Sequence, residues 1–168
     1  MTDMLSPVDV IETETEDTMH GKHLVFSLDS QIFAISIEYV VDIINVQPIT
    51  RVPNCPGFVN GITNLRGKVI PIIDLRLRFG KTPQEYNDRT CIIVVEQGKI
   101  QVGIVVDRVN EVANISDDMI SPPPNFSGGF EASFVESVGH MENGVYLILN
   151  CKAVLGDDYS SLEDEENF

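Results

Sequence analysis

Apolar residues alternate with other positions along much of the chain, and Gly, Pro, Asp and Asn break the alternation at short intervals, which is the signature of many short strands. Leu24, Phe26 and Leu28 alternate with Val25 and Ser27; the turn Asp29-Ser30-Gln31 follows, and Phe33, Ile35 and Ile37 carry the pattern back, predicting a hairpin. Residues 38–43 fit either one helical turn or a further strand. Pro48, Pro53 and Pro56 bracket residues 51–57 as turn and edge-strand material, because proline cannot donate to a ladder. The runs 58–65 and 68–74 flank Arg66-Gly67, a spacing that suits a tight hairpin with glycine supplying positive φ. A short helix over 75–79 ends at Gly80.

The polar stretch Thr82 to Asp88 is the candidate boundary between two halves. Strands resume at 90–96 and 100–106 around Gln97-Gly98-Lys99, with apolar runs continuous enough for burial on both faces, and 109–115 is expected to extend the same sheet. Pro122 to Pro124 must run extended, and 125–131 reads as an irregular loop. Residues 134–141 and 145–150 form a hairpin through Glu142-Asn143-Gly144, and 151–155 is a terminal helical turn closed by Gly156. A shift of 69 residues aligns Ala34–Ile43 with Gly103–Val112 without a gap: Ile35 meets Ile104, Val40 meets Val109, Asp42 meets Glu111. Duplication of one supersecondary unit produces such a match, and so does chance pairing of two β-rich stretches. Short, evenly spaced strands without long helices predict a mainly all-β fold of two five-stranded units.

Charge changes this picture only at the ends. The net charge is −15, but residues 1–18 carry −6 and residues 156–168 another −6, leaving 14 acidic against 11 basic residues between them. The segments 1–21 and 156–168 are therefore expected to be acidic disordered tails around a folded body of residues 22–155. No basic run exists to displace phosphate counterions, which argues against a nucleic-acid partner. The longest apolar stretches are about seven residues, against the roughly 20 that span a bilayer, and the first 19 residues lack a signal core.

Little in the chain speaks for catalysis. No glycine-rich phosphate loop or nucleophile elbow is present, and Cys55, Cys91 and Cys151 share no CxxC spacing, which fits a reduced, intracellular protein. A metal site drawn from these cysteines with His20, His23 and His140 competes with the plainer reading of solvated histidines at 20 and 23 and small, buried or half-buried thiols. Asp74 is either a buried catalytic carboxylate or, in better accord with its place before Leu75-Arg76-Leu77, the cap of a short helix. Arg66, at a hairpin tip, is either a solvated turn charge or a guanidinium free to grip a carboxylate. No catalytic residue, metal or cofactor is expected.

The segment Gly61-Ile-Thr-Asn-Leu-Arg-Gly-Lys-Val-Ile-Pro-Ile-Ile-Asp-Leu-Arg76 resembles the CheW family, which carries a GV-x-NLRG-x-(I/V)-(I/V)-P-(I/V)-(I/V)-DLR stretch. LVFSL at 24–28, ITRVP at 49–53, CIIVVE at 91–96 and VGIVVDRV at 102–109 agree with it, so the resemblance spans about 22–155. It implies two intertwined five-stranded SH3-like β-barrel subdomains, about 22–82 and 83–150, closed by 151–155. It implies a cytoplasmic, non-catalytic adaptor, recruited to membrane chemoreceptor arrays. There it bridges the cytoplasmic tip of a methyl-accepting chemoreceptor to the regulatory domain of the histidine kinase CheA. A CheW-like adaptor of a non-taxis receptor-kinase pathway is the alternative. By position, the receptor-binding groove is lined by Val40, Asp42, Ile43, Gly61 and Arg66; Val40 and Ile43 also read simply as core. Family members usually carry Glu where this chain has Asp42. The resemblance names no kinase-contacting residue.

Overall fold

The computed structural model describes residues 21–53, 59–123 and 133–156. The expectations for residues 1–20 and 157–168 of the tails, for His20, Cys55 and Pro56, and for the 125–131 loop lie outside these residues. Among the described residues eleven strands run in chain order: β1 (Lys22–Leu28), β2 (Gln31–Ser36), β3 (Val40–Asn45), β4 (Val59–Leu65), β5 (Lys68–Asp74), β6 (Cys91–Gln97), β7 (Ile100–Val106), β8 (Arg108–Asn114), β9 (Ile120–Ser121), β10 (Val135–Met141) and β11 (Gly144–Leu149). Two short helices follow hairpins, α1 (Leu75–Arg78) and α2 (Cys151–Leu155). Residues 37–39 make a single 3-10 turn and β3 begins at once, so both alternatives for 38–43 occur in succession.

The fold is mostly β and forms two sheets. One is six-stranded, in the order β8-β1-β2-β11-β10-β9; the other is five-stranded, in the order β3-β6-β7-β5-β4. Each sheet takes strands from both sides of the 82–88 stretch, and parallel pairs β2–β11 and β5–β7 join the two halves of the chain. The sheets are thus intertwined. One expectation needs correction: β8 does not extend the sheet of β6 and β7 but pairs with β1 in the other sheet. Arg108 follows Val106 after one residue, Asp107, where the chain leaves β7 and crosses between sheets. A side-chain pattern marks a strand and its faces, and not which neighbour it pairs with.

The repeat extends well beyond the segment aligned by sequence. A shift of 69 carries β1, β2 and β3 onto β6, β7 and β8, and a shift of 76 carries β4, β5 and α1 onto β10, β11 and α2. Even the helix caps correspond. Asp74 accepts a hydrogen bond from the Arg76 amide at 2.9 Å, and Asn150, 76 residues on, accepts one from the Ala153 amide at 3.1 Å.

Period-two alternation decides where each side chain goes. Leu24, Phe26 and Leu28 of β1, Phe33 and Ile35 of β2, Ile93 and Val95 of β6, and Val102, Ile104 and Val106 of β7 meet in one core fed by both sheets. The intervening residues point the other way. Val25 and Ala34 join Ile115, Tyr146 and Ile148, while Ile92, Val94 and Val105 join Ile70 and Ile72. Burial on both faces is why these strands read as unbroken apolar runs. A file of rings, Phe26, Phe33, Phe79 and Phe134, with centroids 5.2 to 5.9 Å apart, joins the end of α1 to the six-stranded sheet. Truncating Phe33 to alanine at its centre is expected to cost about 3–5 kcal/mol.

Candidate functional site

The candidate residues lie at the two edges of the five-stranded sheet, which the chain brings together. Residues Thr50 and Ile62 exchange two backbone hydrogen bonds of 2.8 Å, so the segment after β3 lies along β4. The Thr63 hydroxyl donates to the Pro48 carbonyl at 2.7 Å and fastens the same crossing. Gly61 sits beneath it. Its φ is +152°, and a Cβ there would lie 2.3 Å from the Thr50 oxygen, so the close approach requires glycine.

A β-bulge on each edge strand sets which way the side chains point. On β3, Val40 faces Val95 and Asp42 faces Val94, leaving Val41 as the extra residue. Unbulged alternation would send Asp42 into the shared core beside Val40; the bulge turns it to the opposite face. On β4, Val59 faces Ile73 and Gly61 faces Ile72, leaving Asn60 as the extra residue.

Asp42 then meets Arg66. The β4–β5 hairpin turns at Arg66 and Gly67, with φ of 54° and 82°, and the Gly67 amide donates to the Asn64 side chain at 3.0 Å. Arg66 Nη2 lies 2.8 Å from Asp42 Oδ2, the arginine side chain 77% exposed and the aspartate 12%. Oδ1 accepts from the Ile43 amide at 2.9 Å. Oδ2 is buried and out of line with the guanidinium N–H, so it has ion-pair contact without a hydrogen bond. Such a carboxylate holds its cation loosely.

Among the five residues carried over from the resemblance, Asp42 and Arg66 are in contact and Gly61 underlies the same crossing. Val40 is buried in the shared core and Ile43 packs half-buried against it, which is their plainer reading. Sequence reasoning passed over two exposed apolar neighbours, Val41 (37% exposed) at the bulge and Val69 (52%) on β5. Val69 lines a groove of about 330 Å³ with Pro48, Thr50, Ile62, Thr63 and Asn64. An apolar residue on the solvent side of a hairpin strand was the available signal for Val69.

The reactive groups elsewhere are quiet. Asp74 spends Oδ1 on the α1 cap and Oδ2 on the Tyr86 hydroxyl at 2.8 Å, as a capping residue does. Burial pushes the Cys151 thiol up to about 12 and raises that of Cys91, so neither is a thiolate near neutral pH. His23, expected to be solvated, is instead buried in β1 with Nδ1 2.9 Å from the Gly21 oxygen, because the strand begins at Lys22. No group of three His, Cys, Asp or Glu among the described residues is placed to hold a metal ion. Nor is any described helix long and apolar enough to cross a membrane.

A small, mostly β body with a grooved edge and a poised surface arginine has the makings of a protein-docking module. The CheW-like domain profile matches residues 22–158, and the chain belongs to that family. It is 32% identical to the chemotaxis protein CheW of Klebsiella aerogenes over 148 residues, 88% of this chain and 89% of that one. It is 34% identical to the chemotaxis protein CheW of Bacillus subtilis over 139 residues, 83% and 89% of the two chains. The crystal structure of scaffolding protein TtCheW from Thermoanaerobacter tengcongensis superposes with a TM-score of 0.74 at 34% identity, covering 80% of this chain and 91% of that one.

Proposed function

We propose that this protein is a cytoplasmic chemotaxis adaptor that couples methyl-accepting chemoreceptors to the histidine kinase CheA without catalysing a reaction, and that Asp42, Gly61, Arg66 and the adjoining groove engage the receptor tip. The observation that carries this reading is the Arg66–Asp42 pair: a guanidinium held at a rigid hairpin tip by an ion pair without hydrogen-bond alignment. A receptor carboxylate accepting two aligned hydrogen bonds from Arg66 offers a better partner than Asp42 Oδ2. Val69 and Ile62 supply apolar surface beside it for the receptor's helical hairpin. Val40 and Ile43 act from beneath, by packing that fixes β3. Modest single contacts suffice, since clustered receptors multiply them through effective concentration.

Co-sedimentation with receptor-bearing membranes and CheA tests the proposal. Arg66→Glu is expected to reduce the sedimented fraction while the circular dichroism spectrum stays native. An unchanged fraction removes Arg66 from the site, and failure of the native chain to bind any chemoreceptor or CheA overturns the function.

A further inference from the structure

Tyr86 belongs to the stretch between the two halves, yet its hydroxyl reaches into the middle of the first. It donates to Asp74 Oδ2 at 2.8 Å and accepts from Asn60 Nδ2 at 2.8 Å. Each partner occupies a special position. Asp74 ends β5 and caps α1, and Asn60 is the extra residue of the β4 bulge, one residue before Gly61. The bulge is what brings Gly61 opposite Ile72 and under the Thr50 carbonyl. A bulged residue has no ladder partner of its own, so hydrogen bonds from its side chain add to what holds it.

We propose that Tyr86 is a positioning residue for the receptor groove: its hydroxyl clamps the Asn60 bulge to the capped end of β5, and so holds β4 and the Pro48–Thr50 crossing in docking register. This rests on the receptor reading of that groove. Two further observations agree, and the repeat limits what the clamp does. Burial and the Asp74 carboxylate raise the Tyr86 hydroxyl well above the ordinary tyrosine range, in keeping with a proton held against that carboxylate. The ring itself is left partly exposed, with Val46, Ile49, Arg51 and Asn60 around a shallow cavity of about 180 Å³. The bulge of β10 at Glu136, 76 residues after Asn60, forms with its side chain exposed, so a bulge as such needs no clamp; what Tyr86 fixes is the position of the β4 bulge against the end of β5.

The test compares Tyr86→Phe, Asn60→Ala and the double variant in two assays on the full chain. The first is affinity for receptor-bearing membranes, measured well below the melting temperature so that a general loss of stability does not register. The second is hydrogen exchange at the Thr50 and Ile62 amides, which report the crossing directly. Each single variant is expected to lose about two- to tenfold in affinity, the range of one hydrogen bond, and to exchange faster at both amides. The double variant is expected to be no worse than Tyr86→Phe alone, because the hydrogen bond that Asn60→Ala removes is already lost with the hydroxyl. Exchange unchanged in both single variants overturns the clamp, as does unchanged affinity when the native chain binds. If the native chain does not bind receptor membranes at all, the receptor reading fails, and the exchange of the two amides alone decides whether the clamp exists.

Discussion

Arg66 and Asp42 come from opposite edges of one sheet, 24 residues apart in sequence, and their side chains lie 2.8 Å apart across the gap where those edges meet. The arginine is mostly solvated, so the attraction between them is screened and is expected to contribute no more than about 1 kcal/mol. The Oδ1 hydrogen bond to the Ile43 amide is the firmer of the two Asp42 contacts. Asp42→Asn, which keeps Oδ1, is therefore expected to destabilise the fold less than Asp42→Ala, which also surrenders that bond, by about 1 kcal/mol. Urea denaturation of both variants checks the order; equal losses would show that Oδ1 contributes nothing.

Two glycines of the same hairpin make a sharper contrast. Gly61 and Gly67 both have positive φ, at 152° and 82°, but a Cβ on Gly61 meets the Thr50 oxygen at 2.3 Å while one on Gly67 meets nothing within 4 Å. Gly61→Ala is expected to cost about 2–4 kcal/mol, from backbone strain plus displacement of the crossing, and Gly67→Ala about 1 kcal/mol from strain alone. Melting temperatures of the two variants decide it. A smaller loss at Gly61 than at Gly67 would mean that the Pro48–Thr50 segment yields freely.

These relationships mark where sequence reading reached and where it stopped. Strands, hairpin turns and the Asp74 cap were legible because each has a local cause: alternation, a glycine able to take positive φ, an Asp ahead of a short helix. The NLRG tip was legible for the same reason. Bulges were not. Val40-Val41-Asp42-Ile43 carries no mark of the extra residue that turns Asp42 away from Val40, since the bulge exists only relative to β6. Pairing was hidden likewise: the mixed pattern of β8, with Val109 and Val112 among polar residues, marks a strand without saying which neighbour it takes, and the chain passes between sheets at Asp107 to set it beside β1.

At that crossing Asp107 shares Arg76 with Asp29. Arg76 donates from Nε and Nη2 to the two Asp107 oxygens, from Nη2 to Asp29 and from Nη1 to the Thr82 carbonyl, so one buried guanidinium joins α1, the β1–β2 turn and the β7–β8 junction. A lysine has neither the fork nor the number of donors. Arg76→Lys is expected to lose about 2–3 kcal/mol, below the usual figure for a broken buried pair because both aspartates are partly hydrated. Guanidinium denaturation reads the loss, and a change within error would show that the cluster is replaceable by a single ammonium.

The same cluster fixes how stability responds to acid. Burial alone raises the Asp107 carboxyl, but the Arg76 hydrogen bonds, the Asp29 amide and the nearby positive charge outweigh it and hold the group below the ordinary aspartate range. A folded-state pKa below the unfolded value of about 3.9 means that the unfolded chain takes up the proton first. The stabilisation is therefore fully present above roughly pH 5 and is lost as the pH falls through 3.9 toward the lower folded value. Asp107→Asn removes that dependence, so its stability is expected to lie below the native protein's at pH 7 and to approach it as the pH falls from 5 to 3. Denaturation midpoints across that range measure the convergence, and parallel curves for the two proteins would assign the acid sensitivity to other carboxylates.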